Sequence, residues 1–552
     1  MAAGALGLSA ALAIPHAQPA PFDLLIANAR IVDGSGAPAV TGSVGVRDGK
    51  IAAIGDVSGP AARTIDARGR VLAPGFIDPH SHSDFPLLVD GNAESKIRQG
   101  VTTEVIGESN SVAPRLASSD APARGTAIRP DWTDFTGYFA ALRRHGTAVN
   151  VLSYVGLGQV REVVMDNEQR APTPAELSRM SHLVTDAMAQ GAWGVSTGLI
   201  YPPNSYATLD ELVALSKPAA AAGGIYASHL RYDGDRLRDG IEEAIAIGER
   251  AHLPVHVFHL KVTGHDNVGR MKEVVALVEA AQKRGVEISA DQYPYVASST
   301  GLTATLPGWA QAGGTSSLVE RLRDREARAK LRREMEDPHP TWENRYHSAG
   351  TWHNVQIASV GGRVPADRQY EGMRIDDAAK KAGKDPFDFV FDLLADERGQ
   401  VGCVYFIIDE EDLKLAMRQP WVSVGSDGSA LATSGPLRRG VPHPRNFGTF
   451  PRVLRKYVRE EHVLTLEQAI HKMSGLTAQQ LHIPNRGLIK DGFAADLVIV
   501  DPATVADRAT FTDPFEYPVG IDTVIVNGRV VLDEGRHTGA HPGVVIYGPG
   551  RK

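Results

Sequence analysis

Residues 71–84 read VLAPGFIDPHSHSD. A short apolar run ends in an aspartate and then in two histidines, His80 and His82, one residue apart. If extended backbone continues through them, the two-residue period puts both imidazoles on one side. Both rings then aim at one point beyond the end of a strand. The plainer alternative is a polar loop with two hydrogen-bonded histidines. The rest of the chain has to separate these readings.

The 552 residues are enough for one large barrel with additions or for several domains. Lys and Arg total 58 and Asp and Glu 65, a mild net charge of −7 with no long basic run. That argues against a nucleic-acid or an anionic-membrane partner. A lone cysteine, Cys403, allows neither an intrachain disulfide nor a cysteine-rich metal site; it lies in an apolar run and reads as inert packing. Residues 1–20, MAAGALGLSAALAIPHAQPA, resemble the apolar part of an export signal without its basic start; the alternative is a disordered tail. Export to the bacterial periplasm or the medium is therefore expected, with the cytoplasm as the alternative. No later apolar run reaches about 18 residues, so no membrane span is expected.

Two stretches share a β texture. Residues 21–72 hold short strands around Asp48-Gly49, and residues 484–552 hold LVIV and VIVNGRVVL around Asn527-Gly528, a hairpin signal. One small β domain built from both termini is expected, with the middle, 73–483, inserted into it. That middle alternates apolar strands with helical patterns such as LRDGIEEAIAIGERA at 237–251. VLAPGFID, TTEVIG, VLSYVG, GVSTG, GIYASH, VHVFH, VEISAD and WVSVGSD suit a closed (β/α)8 barrel. WHNVQIASV at 352–360 and VGCVYFI at 401–407 are surplus strands, so a bare count does not close the barrel. Residues of about 305–400 are too many for a simple crossover and read as an inserted subdomain or lid.

Polar residues recur where these strands end: His80 and His82, then Glu108, His229, His259 and Asp427. In a barrel those ends share the catalytic face. Four histidines and two carboxylates suit zinc, one or two ions, with manganese, cobalt or iron as alternatives.

PGFIDPHSHSD at 74–84, GVTTEVIGESNS at 100–111, WGVSTGLIYPPNSYA at 193–207, YASHLR at 226–231 and HVFHLK at 256–261 together carry a resemblance. It continues in ADQYPYVASSTGL at 290–302, GSDGSA at 425–430, HPRNFGTFPRVLRKYVRE at 443–460 and PNRGLIKDGFAADLVIVD at 484–501. The chain resembles the D-aminoacylase (N-acyl-D-amino-acid deacylase) family of the metal-dependent amidohydrolase superfamily from about residue 22 to 545. The resemblance implies a TIM-like (β/α)8 barrel with a small β-sandwich domain built from both termini. It implies hydrolysis of the amide of a small, anionic N-acyl-D-amino acid. His80 and His82 match the family's metal pair, His229 and His259 its later histidines, and Asp427 the aspartate that ligates metal and acts in catalysis. A carboxylate must accept the water proton, and Asp427 is the expected general base.

One departure stands out. Many members carry a cysteine ligand after the second strand; here that position is Ser109, preceded by Glu108. Glu108 then either bridges two metals or stands beside a single one. Lys261 as a carboxylated bridge is the lesser alternative to a substrate-facing or structural role. Tyr201, Arg231, Lys261, Tyr293 and Arg445 are candidate partners for the substrate, guanidinium being well matched to a carboxylate. Asp84 is expected to orient a ligand histidine or to cap a helix. Ser109 and His443 are placed near the ligands. The rivals are a metal hydrolase of dipeptides, cyclic amides or lactones on the same scaffold, and a non-catalytic binding protein for small acids.

Overall fold

The computed structural model describes residues 21–116 and 128–552. The stretch read as an export signal or tail lies outside them. Among the described residues, the barrel strands are Phe76–Asp78, Val101–Ile106, Asn150–Ser153 continued by Val155–Gly156, Gly194–Gly198, Ile225–His229, Val255–Val257, Ile288–Gln292 and Val422–Val424. Neighbours pair in parallel. Closure joins the eighth strand to the first: the Asp427 N–H donates to the His80 carbonyl at 2.9 Å, and Ser81 bridges Gly428 in parallel. Almost every strand residue is buried, as expected for strands covered on both faces. The helices outside show the complementary pattern. In Leu237–Ala251 the buried side is Leu237, Ile241, Ala244, Ile245 and Gly248, a three-to-four-residue recurrence.

The two surplus strands belong to a separate sheet. Ser298–Gly301, Val401–Tyr405 and Val355–Val360 pair antiparallel between the seventh and eighth barrel strands. With the helices around them they enclose a second apolar core that includes Leu322, Leu331, Ile357, Leu394 and Cys403. The insertion thus begins before residue 305 and ends after 400, because its sheet needs strands from both flanks.

Strands from both ends of the chain form one sheet of nine among the described residues. Phe22–Ile31 is its branch point, pairing antiparallel with Val40–Arg47 and parallel with both Ala61–Asp66 and Val71–Pro74. Leu497–Val500 from the C-terminal part lies antiparallel to Val71–Pro74. Alternation ties this domain to the barrel: Leu497 and Ile499 fill the β domain's own core, while Val498 and Val500 join the main core. Asn527 and Gly528 both have positive φ (48° and 76°), the two-residue hairpin conformation their sequence signals. The last residues leave this domain, and the N–H of Ile546 donates to the Val151 carbonyl of the barrel.

Candidate metal centre and substrate pocket

Each ligand candidate stands at or just past the carboxyl end of a barrel strand. Gly107, at φ 92°, turns the chain off the second strand; a Cβ there would meet the Tyr154 carbonyl at 2.4 Å. That turn presents Glu108. His259 (φ 36°) and Asp427 (φ 49°) both adopt the left-handed region, which side chains other than glycine occupy at a cost and which clusters at functional sites.

The side chains meet in two groups that share Glu108: His80, His82, Glu108 and Asp427, and Glu108, His229 and His259. Within each, one ligand atom per residue lies within 4.8 Å of the others. Glu108 Oε2 is 2.6 Å from His80 Nε2 and 3.3 Å from His82 Nε2, whereas its Oε1 is 3.6 Å from His229 Nδ1. One carboxylate therefore offers an oxygen to each group. Asp427 Oδ1 is 2.9 Å from His82 Nε2, and His259 Nε2 is 2.8 Å from His229 Nδ1. Burial works against charge on His80, yet Asp427 and Glu108 outweigh it and lift its pKa to about 9. The cluster therefore favours a cation at its centre, and imidazole with carboxylate is a donor set that suits a divalent metal. The geometry fits a binuclear centre.

A second layer of charge lies behind the histidines. Lys261 Nζ is 2.9 Å from His259 Nδ1 and 3.0 Å from an Asp233 oxygen. Arg345, from the insertion, grips Asp233 with two bonds of 2.7 and 3.0 Å. Burial raises the Asp233 carboxyl, but Arg345 and Lys261 prevail and hold it well below the usual carboxylate range. Beside it, burial and Asp233 push Glu343 up to about 7. Asp291 accepts the His259 N–H at 3.0 Å on one oxygen and faces His256 Nε2 at 3.0 Å with the other. Asp291 lies one residue before the end of the seventh strand, so the strand-end rule that found the ligands points to it as well. Asp233 and Arg345 gave no such signal, since they meet only in the folded chain.

The substrate candidates divide. Arg445 Nη1 donates to Asp427 Oδ2 at 2.7 Å, and its guanidinium lies 5.2 Å from the Tyr293 ring centre. The Tyr293 hydroxyl is buried without a hydrogen-bond partner among the described residues. The Tyr201 ring stands edge-on to His229 at 5.2 Å, its hydroxyl paired with Thr300. Arg231 does not join them: it is spent on Glu243 and on the Ser205 and Ala207 carbonyls, so it braces the Tyr201 loop. His443 acts through Arg445, accepting its N–H on Nδ1 at 3.0 Å while Nε2 faces the Ala297 carbonyl. Ser109 lies off the metal groups; its N–H donates to Ser196. Asp84 neither caps a helix nor bonds a ligand histidine among the described residues. Burial raises it to about 6, while His82 and then the Gly107 N–H, on the turn that presents Glu108, favour its charged form. Cys403 is buried in the insertion core, where burial pushes its thiol up.

The model of the amidohydrolase family matches residues 63–532, most of the chain. The chain is an amidohydrolase. This amidohydrolase is 39% identical to the D-aminoacylase of Alcaligenes xylosoxydans xylosoxydans, over 95% of its own length and 98% of the relative's. It is 38% identical to the N-acyl-D-aspartate deacylase of the same organism, covering 96% and 95%. The crystal structure of N-acyl-D-glutamate deacylase from Bordetella bronchiseptica, complexed with zinc and a phosphonate inhibitor, superposes with a TM-score of 0.81 at 34% identity, covering 96% of this chain and 100% of that one. Among the described residues no helix is long and apolar enough to cross a membrane.

Proposed function

We propose that this amidohydrolase uses one or two zinc ions to hydrolyse the amide of N-acyl-D-amino acids, giving a carboxylate and a free D-amino acid. The observation that carries the reading is the pairing of two ligand groups sharing Glu108 with the cations Lys261 and Arg445 beside them. Near-full-length similarity to enzymes named for this chemistry supports it. His80, His82, Glu108, His229, His259 and Asp427 would hold the metal, which when bound supplies a water of lowered pKa and a polarised carbonyl.

The protein's own groups do the rest. Asp427 is held as a carboxylate well below the usual range: burial opposes this, and Arg445 and the histidines prevail. It can therefore take a proton from the attacking water and hand it to the amide nitrogen as the C–N bond breaks. Water's oxygen goes to the acyl carbon, and the two products leave as acid and amine. Lys261 and Arg445 bind the substrate's α-carboxylate. Because Arg445 is already paired with Asp427, a carboxylate drawn to Arg445 competes for that guanidinium and loosens Asp427 for proton transfer. Tyr293, with its hydroxyl free, donates to a substrate oxygen.

The test is a panel of N-acetyl amino acids in D and L pairs, with neutral and acidic side chains, assayed on zinc-loaded protein whose metal content is measured. D-selective release of the amino acid is expected. Turnover of dipeptides or cyclic amides in its place, with metal bound, would move the reading to those substrates.

A further inference from the structure

We propose that Lys96 is a positioning residue for the metal centre: its ammonium fastens the turn carrying His80 and His82 to the turn carrying Asp427 and so sets the spacing of three ligands. This rests on the metal-centre reading above.

Lys96 lies in a short helix, Glu94–Ile97, between the first two barrel strands, and is fully buried. Its Nζ donates to Asp78 Oδ2 at 2.7 Å, Ser426 Oγ at 2.9 Å, Ser81 Oγ at 3.1 Å and the Gly428 carbonyl at 3.1 Å, and lies 3.3 Å from Glu104. Ser81 sits between His80 and His82, while Ser426 and Gly428 flank Asp427. Every one of those residues is a chain neighbour of a ligand, yet Lys96 touches no ligand itself.

The clasp is reinforced around the ammonium. The Ser426 hydroxyl and N–H both donate to Asp78, at 2.5 and 2.9 Å, and the Gly428 N–H donates to Ser426 Oγ at 2.9 Å. The backbone crosses the same seam twice, Asp427 N–H to the His80 carbonyl and His82 N–H to the Gly428 carbonyl at 3.0 Å. Asp427 is held at φ 49°, in the left-handed region that few residues other than glycine adopt. A buried ammonium is costly unless its donors are satisfied. Here it satisfies the atoms on both sides of the strained residue, which locks the carboxylate toward His82. Ligands are generally oriented by such outer partners, whose loss weakens metal binding by about 10–100-fold.

The experiment uses the full chain. Removing Lys96 alone would strand the Asp78 charge, so the pair is removed together as Lys96→Met with Asp78→Asn; Glu104, the other carboxyl beside the ammonium, is already pushed by burial toward its neutral form. A milder variant, Ser426→Ala, takes away one hydroxyl and no charge. Arg161→Met is the control, breaking the equally buried Arg161–Glu211 pair between outer helices. Zinc affinity is read by competition with a chromogenic chelator, folding by thermal unfolding, and kcat and KM on an N-acetyl-D-amino acid. The double variant should lose about 10–100-fold in zinc affinity, with kcat falling and KM nearly constant, and Ser426→Ala should shift the same way by less. Arg161→Met should lower the unfolding temperature with zinc affinity unchanged. If the double variant does not fold, Ser426→Ala decides. Zinc affinity and kcat within twofold of wild type in the folded variants would overturn the proposal and leave the metal reading standing. A wild-type chain that takes up no zinc would bring down the metal reading, and this inference with it.

Discussion

On the wall built from the first, second and eighth barrel strands, Glu108 and Asp427 converge with His80 and His82, and one cation, Arg445, answers two carboxylates. On the wall behind His229 and His259, two cations, Lys261 and Arg345, answer Asp233, with Glu343 beside them pushed up to about 7. The first wall draws positive charge onto His80, and the second sets two cations against one firmly ionised carboxylate. Apart from His82, whose side chain is 43% exposed, these groups are shielded from solvent, so water screens the charges weakly. A divalent metal suits the first wall and an anionic substrate the second. The pocket thus separates the two charges its chemistry needs within a few side chains, with Glu108 reaching both metal groups.

The largest expected effect comes from breaking the acidic wall. Asp427→Asn should lower kcat by about 10²–10⁴, the usual range for a lost general base, with metal content checked on the same sample. Glu108→Gln comes next. Because both groups share this carboxylate, zinc stoichiometry should fall and zinc affinity should drop by more than the about 10–100-fold that outer partners cost. Full zinc binding in that variant would mean that the two groups do not depend on Glu108.

The basic wall is tested by changing the substrate as well as the protein. Lys261→Met should raise KM for an N-acetyl-D-amino acid by about tenfold or more, the loss of a charge-assisted hydrogen bond of about 1.5–3 kcal/mol. The matching uncharged amide substrate should be much less affected. Equal effects on both substrates would assign Lys261 to His259 and remove it from carboxylate binding. The smallest effect is expected from Arg231→Met. It should lower the unfolding temperature by about one degree, about 1 kcal/mol of stability in the range of a lost ion pair near the surface, with KM within twofold. A large rise in KM would return Arg231 to the substrate.

The sequence carried the barrel and the ligand set because both follow from local rules. Apolar strands mark themselves by composition and spacing, and a polar residue at each strand end falls on one face. Closure was beyond it: the strands at 355–360 and 401–405 look like barrel strands in isolation, and only their antiparallel pairing removes them. Arg231 and Asp84 show a different limit. Each residue type suited its expected role, but Arg231 goes to Glu243, and Asp84 meets His82 through charge and not through a hydrogen bond. Lys96 lies furthest from any local rule. A lysine in a polar stretch reads as solvent-exposed, and its partners come from positions 78 to 428.

The most direct test of the account is the rate of N-acetyl-D-amino acid hydrolysis by metal-stripped protein as zinc is returned in measured steps. The account predicts negligible turnover without metal, activity rising with bound zinc, and little or none on the L enantiomer. Stripped protein as active as the restored enzyme would contradict it.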